Sequence, residues 1–160
     1  MNNFFEFIKC PLCNYNDYHI IIESKYNKKI SYEYLKKMFL SSGSKFMDQV
    51  VKCNRCSFIY TNPRIKENII NKGYSFSIDK KFISQDQMRI KSFENTLNII
   101  DKTIDLSQKK ILDVGSAGGA FLKACLNKNI NADGIEPNKW LVNFGKKNYR
   151  VNIRNIPLNK

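Results

Sequence analysis

Apolar residues recur in the C-terminal half of the chain, first at helical spacing and then in short runs. After Ser84 they stand three or four residues apart, which predicts an amphipathic helix over 85–104 with Ser84 as its N-cap. The apolar positions of this predicted helix are Met88, Ile90, Phe93, Leu97, Ile100 and Ile104.

Short apolar runs then alternate with helical patterns. The runs 110–114 and 131–135 predict two buried parallel strands, and a third strand is predicted over 150–154. Helices are predicted between them, over 118–128 and 138–148. Strands that alternate with helices are typical of an α/β domain with a parallel sheet.

Four of the five cysteines form two Cys-x-x-Cys pairs, and 39 residues separate Cys13 from Cys53. A two-residue spacer lets one tight turn direct two thiolates at one metal ion, and four thiolates form the tetrahedral set that zinc prefers. A thioredoxin-like redox site does not fit, because two copies occur without a surrounding βαβ pattern. The sequence therefore predicts a structural Zn²⁺ site whose four sulfurs fill the coordination shell. The predicted ligands are Cys10, Cys13, Cys53 and Cys56.

Short strands are predicted beside both cysteine pairs, over 7–9, 49–52 and 57–60. Each pair would then lie in the turn of a hairpin, as in a zinc ribbon. The segment 24–44 is an excursion with a helical pattern followed by a flexible turn. The apolar positions of that pattern are Tyr34, Leu35, Met38 and Phe39.

Residues 64–83 mix Lys, Asn and Ser with isolated aromatic residues, which indicates a linker. A short helix or loop is expected near 66–71, and a turn at Gly73. The chain thus divides into a zinc-ribbon-like module with four cysteines over 1–63, this linker, and an α/β domain over 84–160. Of the remaining chemical groups, His19 is expected to be an ordinary surface or packing residue and Cys125 a small core side chain.

The net charge of +13 admits two explanations. The chain has 22 Lys but 5 Arg, and it has 20 Asn and 20 Ile, which is the composition that A/T-rich codons produce. Nucleic-acid sites favour Arg forks and clustered basic faces, whereas these lysines are scattered. Genome composition is the preferred explanation, and a nucleic-acid surface is the alternative.

The composition also bears on where the protein works. Hydrophobic residues make up 42% of the chain and charged residues 26%, which is typical of a globular protein. No apolar run approaches the roughly 18 residues of a membrane span, and the N-terminus has no basic segment followed by an apolar one. A cytoplasmic protein is expected.

A run of small residues follows the first predicted strand of the α/β domain. Asp113 lies near the end of that strand, and Gly115 to Gly119 then form a tight turn before a helix. Glycine allows the backbone of such a turn to approach a ligand where a Cβ would collide. The second strand ends before Glu136, whose carboxylate can accept both hydroxyls of a ribose.

This stretch resembles the first motif of class I S-adenosylmethionine-dependent methyltransferases, an acid followed by a G-x-G-x-G turn. The resemblance implies a Rossmann-like, doubly wound parallel sheet and a methyl-transfer activity. It departs from the motif at Ala117, where the middle glycine is usual. The cofactor residues that it implies are Asp113, Gly115, Ser116, Ala117, Gly118, Gly119, Glu136, Pro137 and Asn138.

The whole arrangement resembles methyltransferases with an N-terminal zinc-binding module, which often act on sugar nucleotides or surface-polysaccharide precursors. A small-molecule acceptor of that kind is the implied substrate, and no catalytic base is identified. A class I domain has seven strands, so strands four to seven are expected to be missing from this chain. A truncated or split protein with a complementing C-terminal chain would follow, and this chain alone would bind the cofactor weakly.

Two alternatives remain open. A dinucleotide-binding site needs the pattern G-x-G-x-x-G, which Gly115, Gly118 and Gly119 do not supply, and Asp113 would repel a pyrophosphate. The other alternative is a small zinc-ribbon protein that binds nucleic acid through its positive charge and has no catalytic role.

Overall fold

The computed structural model describes residues 4–26, 31, 33–34 and 48–158. The chain divides into two compact units. The described residues up to Gly73 belong to the first unit, and those from Tyr74 onward belong to the second. The fold is mixed α/β, with antiparallel strands in the first unit and a parallel sheet in the second.

Five short strands form two antiparallel sheets in the first unit. Strand β1 pairs with β5, and β2, β3 and β4 form a three-stranded sheet in that order. Val51 of β3 lies opposite Ile20 of β2 on one side and Tyr60 of β4 on the other. The five strands are β1 (Phe5–Glu6), β2 (Tyr18–Ile22), β3 (Val50–Cys53), β4 (Ile59–Thr61) and β5 (Arg64–Ile65).

The expected pair of hairpins is wrong for the first cysteine pair. Only the second pair lies in the turn of a hairpin, between β3 and β4. The predicted strand over 7–9 has no regular structure, and the strand that follows the first pair, β2, pairs with β3. The sequence predicts no strand at β2.

The helical excursion predicted from Tyr34 to Phe39 lies outside the described residues apart from Tyr34, and the turn predicted after it lies outside them entirely. The predicted helix near 66–71 is present as α1 (Glu67–Ser75). The prediction of a turn at Gly73 is wrong, because Gly73 lies buried inside α1.

The second unit alternates helices and strands as predicted. The strands predicted over 110–114 and 131–135 are confirmed with those bounds, and both adjacent helices are confirmed within one or two residues. The elements are α2 (Lys80–Ile83), α3 (Asp86–Asp101), β6 (Lys110–Val114), α4 (Ala120–Asn127), β7 (Asn131–Ile135), α5 (Lys139–Tyr149) and β8 (Ile153–Arg154).

The three strands of the second unit form a parallel sheet in the order β6-β7-β8. Asp113 pairs with Gly134 and Val114 with Ile135, so β6 and β7 end at the same level. Because the carboxyl ends of parallel strands meet at one edge of the sheet, the turn after β6 and the residue after β7 become neighbours.

Two apolar clusters hold the helices of the second unit in place. Leu97 of α3 packs with Ala124 and Cys125 of α4, and all three are fully buried. In the second cluster, Leu122 packs with Val142, Val151 and Ile153. Cys125 is therefore a core side chain, as expected.

The predicted N-cap of the long helix is wrong. Helix α3 begins at Asp86 after Gln85, which makes no side-chain cap hydrogen bond. The hydroxyl of Ser84 instead donates to the carbonyl oxygen of Lys81, because the short helix α2 ends at this position. The sequence predicts a linker over 64–83, so the helix α2 at the end of that segment was not predicted.

Strand β6 is less buried than a parallel strand is expected to be. Leu112 and Val114 are each 51% exposed on one face of the sheet, and β6 pairs with a strand on one side only in the described part of the chain. No helix among the described residues is long and apolar enough to cross a membrane.

Candidate functional site

The two Cys-x-x-Cys segments fold into equivalent turns. In each, the N–H of the residue just after the pair donates to the carbonyl oxygen of the first cysteine. Those residues are Asn14 and Ser57, with φ of +59° and +61°. Since the same backbone turn occurs twice, the two pairs present their sulfurs in the same way.

The turns bring four sulfurs together from distant parts of the sequence. Sγ of Cys10 lies 3.5 Å from Sγ of Cys56, and Sγ of Cys13 lies 3.6 Å from Sγ of Cys53. All four sulfurs lie within 4.8 Å of one another. These separations are much longer than a disulfide bond of about 2.05 Å. They match the edge of about 3.8 Å of a tetrahedron with metal–sulfur bonds of about 2.3 Å.

The thiols of this cluster share protons. Burial raises the pKa of the Cys53 thiol, but the N–H groups of Cys56 and Arg55 hydrogen-bond its sulfur and bring the pKa down to about 7. At Cys56 the N–H of Phe58 lowers the pKa, but burial and the sulfurs of the other three cysteines raise it to about 12. A soft sulfur set with this geometry suits Zn²⁺. His19 lies outside the cluster, where it is exposed and its Nδ1 contacts Oδ1 of Asn54 at 2.7 Å.

The turn after β6 has the conformation that small residues permit. Gly115 has φ of +80°, and a Cβ placed on it would meet no atom within 4 Å. The N–H groups of Gly115 and Ser116 both donate to the carbonyl oxygen of Ile135. The backbone at Gly115 is therefore pinned to β7 while its outer side faces open space.

The end of the turn is packed tightly. Gly119, the N-cap of α4, has φ of +82°, and a Cβ there would lie 2.8 Å from Cγ2 of Val151 and 3.0 Å from Cδ1 of Ile153. Ala117 occupies the left-handed region with φ of +46°, so the turn is built despite the missing glycine. The N–H of Ala117 donates to Oε2 of Glu136 at 2.9 Å.

A cavity of about 340 Å³ opens beside this turn. Its volume lies in the range of small-molecule sites, about 300–1,000 Å³. Three phenylalanine rings and the charged residues Asp86 and Arg89 contribute to its wall. Five of the nine predicted cofactor residues also line it: Asp113, Gly115, Ser116, Ala117 and Gly118.

The other four predicted cofactor residues, Gly119, Glu136, Pro137 and Asn138, do not line the cavity. Glu136 is fully buried, and its two carboxylate oxygens accept the N–H groups of Ala117 and Asn138. In this arrangement Glu136 holds the turn after β6 against the end of β7.

Tyr74 and Asn138 close over the same carboxylate. Burial, followed by the charge and hydrogen bond of Glu136, raises the pKa of the Tyr74 phenol to about 12. Nδ2 of Asn138 lies 2.6 Å from the carbonyl oxygen of Tyr74 and 3.0 Å from that of Ser77. Oδ1 of Asn138 accepts the N–H of Leu141 and so caps α5. Although Tyr74 lies in the predicted linker, its phenol therefore packs against the buried carboxylate of the second unit.

Asp113 lines the cavity, and its carboxylate lacks a hydrogen-bond donor among the described residues. The residue is half-buried. Burial, together with the nearby charge of Glu136, raises the pKa of Asp113 above its usual range. A cation in the cavity would relieve both effects.

The two charged residues of the cavity wall besides Asp113 were missed by the sequence analysis. Asp86 is nearly fully buried, and its Oδ2 accepts the hydroxyl of Tyr149 at 3.0 Å. Arg89 donates to Oδ1 of Asp86 at 3.1 Å. Asp86 and Arg89 stand three positions apart at the start of α3. This i,i+3 spacing of opposite charges was the one signal in the sequence for their ion pair.

No protein-family model matches the sequence, and the comparison with curated proteins finds no match. A SAM dependent methyltransferase from Archaeoglobus fulgidus, known from its crystal structure, is similar to the chain with a TM-score of 0.36 and 20% identity. The match covers 49% of this chain and 35% of that protein.

The turn predicts a difference between two glycine substitutions. Gly115→Ala should destabilise the second unit by about 1–2 kcal/mol, because alanine is strained at positive φ. Gly119→Ala carries the same strain and also overpacks the core beside Val151, so it should lose about 2–4 kcal/mol. Urea unfolding of both variants measures the difference, and equal losses would contradict the packing of this turn.

The hydrogen bonds of Glu136 predict that Glu136→Gln is destabilising. A glutamine replaces one acceptor oxygen by a donor, so the N–H of Ala117 or Asn138 loses its partner inside the protein. The expected loss is about 1–3 kcal/mol in urea unfolding. Glu94→Gln is the control, since a glutamine can keep its one hydrogen bond from Asn127. A neutral Glu136→Gln would show that these bonds do not stabilise the turn.

Proposed function

We propose that the second unit binds S-adenosylmethionine and that the protein is a methyltransferase, or the cofactor-binding half of one. The observation that carries the proposal is the cavity formed where β6 ends. There the glycine turn exposes backbone to the cavity, and the half-buried Asp113 stands without a donor among the described residues. S-adenosylmethionine carries a cationic sulfonium and a cationic ammonium group, which a carboxylate in such a place would attract.

The open space at Gly115 supports a ligand in contact with the backbone. Nothing lies within 4 Å of a Cβ at this position, whereas Cβ atoms at Gly119 and Gly134 would meet core side chains at 2.8 Å and 2.7 Å. The glycine at 115 is thus exposed to the cavity, and those at 119 and 134 serve packing. The parallel order β6-β7-β8 is the order that the first three strands of a Rossmann-like sheet would have.

The proposed ribose contact of Glu136 requires an exchange of partners. Its carboxylate is covered by the phenol of Tyr74 and by two backbone N–H groups. Since the backbone bonds hold the turn, we propose that a ribose hydroxyl takes the place of the Tyr74 phenol. Pro137 and Asn138 would then keep the carboxylate in position from the start of α5.

When bound, S-adenosylmethionine would supply an activated methyl group for direct in-line transfer. The contribution of this chain is to hold the donor in place, with Asp113 and the turn at one end and Glu136 at the other. Such positioning supplies much of the rate of a two-substrate reaction. A sugar nucleotide or a surface-polysaccharide precursor is our proposal for the acceptor, based on the family resemblance.

The exposed edge of β6 supports the proposal that further strands complete the sheet. Leu112 and Val114 are half-exposed, and among the described residues β6 pairs only with β7. An unpaired backbone edge beside an uncovered apolar face is an unfavourable surface for an isolated domain. A complementing C-terminal chain or segment would cover it.

For the first unit we propose a structural Zn²⁺ held by the four cysteines. Their sulfur separations fit one tetrahedral ion, and four sulfurs leave no open coordination position. Four cysteines without a disulfide also support a reducing, cytoplasmic location. The ion would supply folding free energy to a unit whose strands have two to five residues.

The zinc proposal predicts a specific loss of metal. The purified protein should contain about one Zn²⁺ per chain by elemental analysis, and Cys53→Ser should lose it because one of the four thiolates is removed. Cys125→Ser is the control. Because Cys125 lies in the core of the second unit, this variant should retain the ion. Equal zinc content in all three proteins would contradict the site.

The cofactor proposal predicts binding of S-adenosylhomocysteine to the wild-type chain in isothermal titration calorimetry. Gly115→Arg should abolish binding, because its side chain would fill the open space beside the turn. Asp113→Asn should weaken binding about tenfold, the value of one charge-assisted contact. Asn143→Arg, at an exposed position on α5, adds the same side chain elsewhere and should bind normally.

No binding by the wild-type chain would contradict the cofactor proposal. If the same chain instead bound RNA with an affinity that falls steeply with salt, the nucleic-acid alternative would be favoured. That result would leave the zinc site intact and make the glycine turn a purely structural feature.

A further inference from the structure

Arg89 is held in one orientation at the wall of the cavity. Its guanidinium lies 3.7 Å from the centroid of the Phe82 ring, close enough for a cation–π contact. Nη1 donates to the carbonyl oxygen of Phe82 at 2.6 Å and to Oδ1 of Asp86 at 3.1 Å. Ring stacking and two hydrogen bonds at one nitrogen therefore fix the plane of the group.

The rest of the guanidinium is less occupied. It carries five N–H donors. Nη2 makes a long contact of 3.4 Å with Oε1 of Gln85, and no other acceptor for Nη2 or Nε occurs among the described residues. The side chain of Arg89 is 27% exposed. The Nε–Nη2 edge is thus available, and this edge of an arginine matches the two oxygens of a carboxylate.

Asp113 gives the same cavity a group of opposite charge. It also lines the cavity, and no described donor hydrogen-bonds it. The rest of the wall is mainly apolar, with the rings of Phe93 and Phe121 and the small residues of the turn. A cavity with one available anion and one available cation matches a ligand that carries both charges on one small group.

We propose that Arg89 is the specificity-determining residue of the cavity and binds the carboxylate of an α-amino-acid group whose ammonium group faces Asp113. The inference rests on the proposed function, because it assigns the cavity to the amino-acid end of the methyl donor. It extends that function by selecting nucleosides that carry a zwitterionic side chain over those that lack one.

The test compares S-adenosylhomocysteine with 5′-methylthioadenosine, which has the same nucleoside and thioether but no amino-acid group. Arg89→Gln should weaken binding of S-adenosylhomocysteine about tenfold or more and change binding of 5′-methylthioadenosine less than about twofold. Lys91→Gln is the charge-matched control, since it removes a positive charge from an exposed position on the same helix. It should affect neither ligand.

A second variant guards against loss of the fold. Arg89→Gln leaves the buried Asp86 without its ion pair, so the double variant with Asp86→Asn removes both charges and should show the same selective loss. A cooperative urea-unfolding transition like that of the wild-type chain demonstrates that either variant is folded, independently of which ligand it binds.

Three outcomes overturn the inference. If Arg89→Gln, in a variant that is folded, weakens both ligands equally, Arg89 only supports the structure of the cavity. If the wild-type chain binds both ligands with equal affinity, the amino-acid group is not recognised, although the cofactor proposal stands. If the wild-type chain binds neither ligand, the cofactor proposal fails, and the inference fails with it.

Discussion

The second unit depends on the buried carboxylate of Glu136. It accepts the N–H of Ala117 from the turn after β6 and the N–H of Asn138 from the start of α5. A turn that contains left-handed residues at 115, 117 and 119 leaves backbone donors unpaired unless a nearby acceptor satisfies them. Because an ionised carboxylate has two acceptor oxygens, one side chain at the end of β7 fixes two loops at the carboxyl edge of the sheet.

Fixing those loops shapes the cavity. The turn exposes Gly115 on its outer side, while Gly119 is pressed against Val151 and Ile153 on its inner side. Asp113 remains outside the hydrogen-bond network of Glu136, yet it experiences the charge of that residue, which together with burial raises the pKa of Asp113. The same constraint that builds the turn therefore leaves a carboxylate ready for a cation, and Arg89 faces the cavity from α3.

In the first unit, the cluster of four cysteines joins distant segments, as Glu136 does in the second unit. Its strands are short, and in the part of the unit that the structure describes Val51 and Tyr60 form a small buried cluster with Cys10 and Cys53. Two equivalent turns bring the sulfurs within 4.8 Å of one another. In a small unit with short strands, a metal ion that joins distant parts of the chain would add to the stability that the buried cluster supplies.

Local patterns were sufficient for much of this architecture. The strands at 110–114 and 131–135, the helices around them and the clustering of the four cysteines follow from periodicity and spacing, because such features are encoded by neighbouring residues. The pairing of β2 with β3 was missed, because it depends on which distant segment supplies the hydrogen-bond partners. The short helix α2 and the hydrogen bond of Ser84 are local, and they were missed because residues 64–83 resemble a linker in composition.

The sequence by itself thus determined the order of the α/β elements and identified the residues of the glycine turn, since short-range chemistry encodes both. Only the tertiary structure decided which of these residues reach the cavity. It placed Glu136 inside a network with Ala117, Asn138 and Tyr74, and it brought Arg89 to the cavity that Asp113 lines. The physical reason is that a side chain's partner is fixed by packing between elements far apart in the chain, which local pattern does not contain.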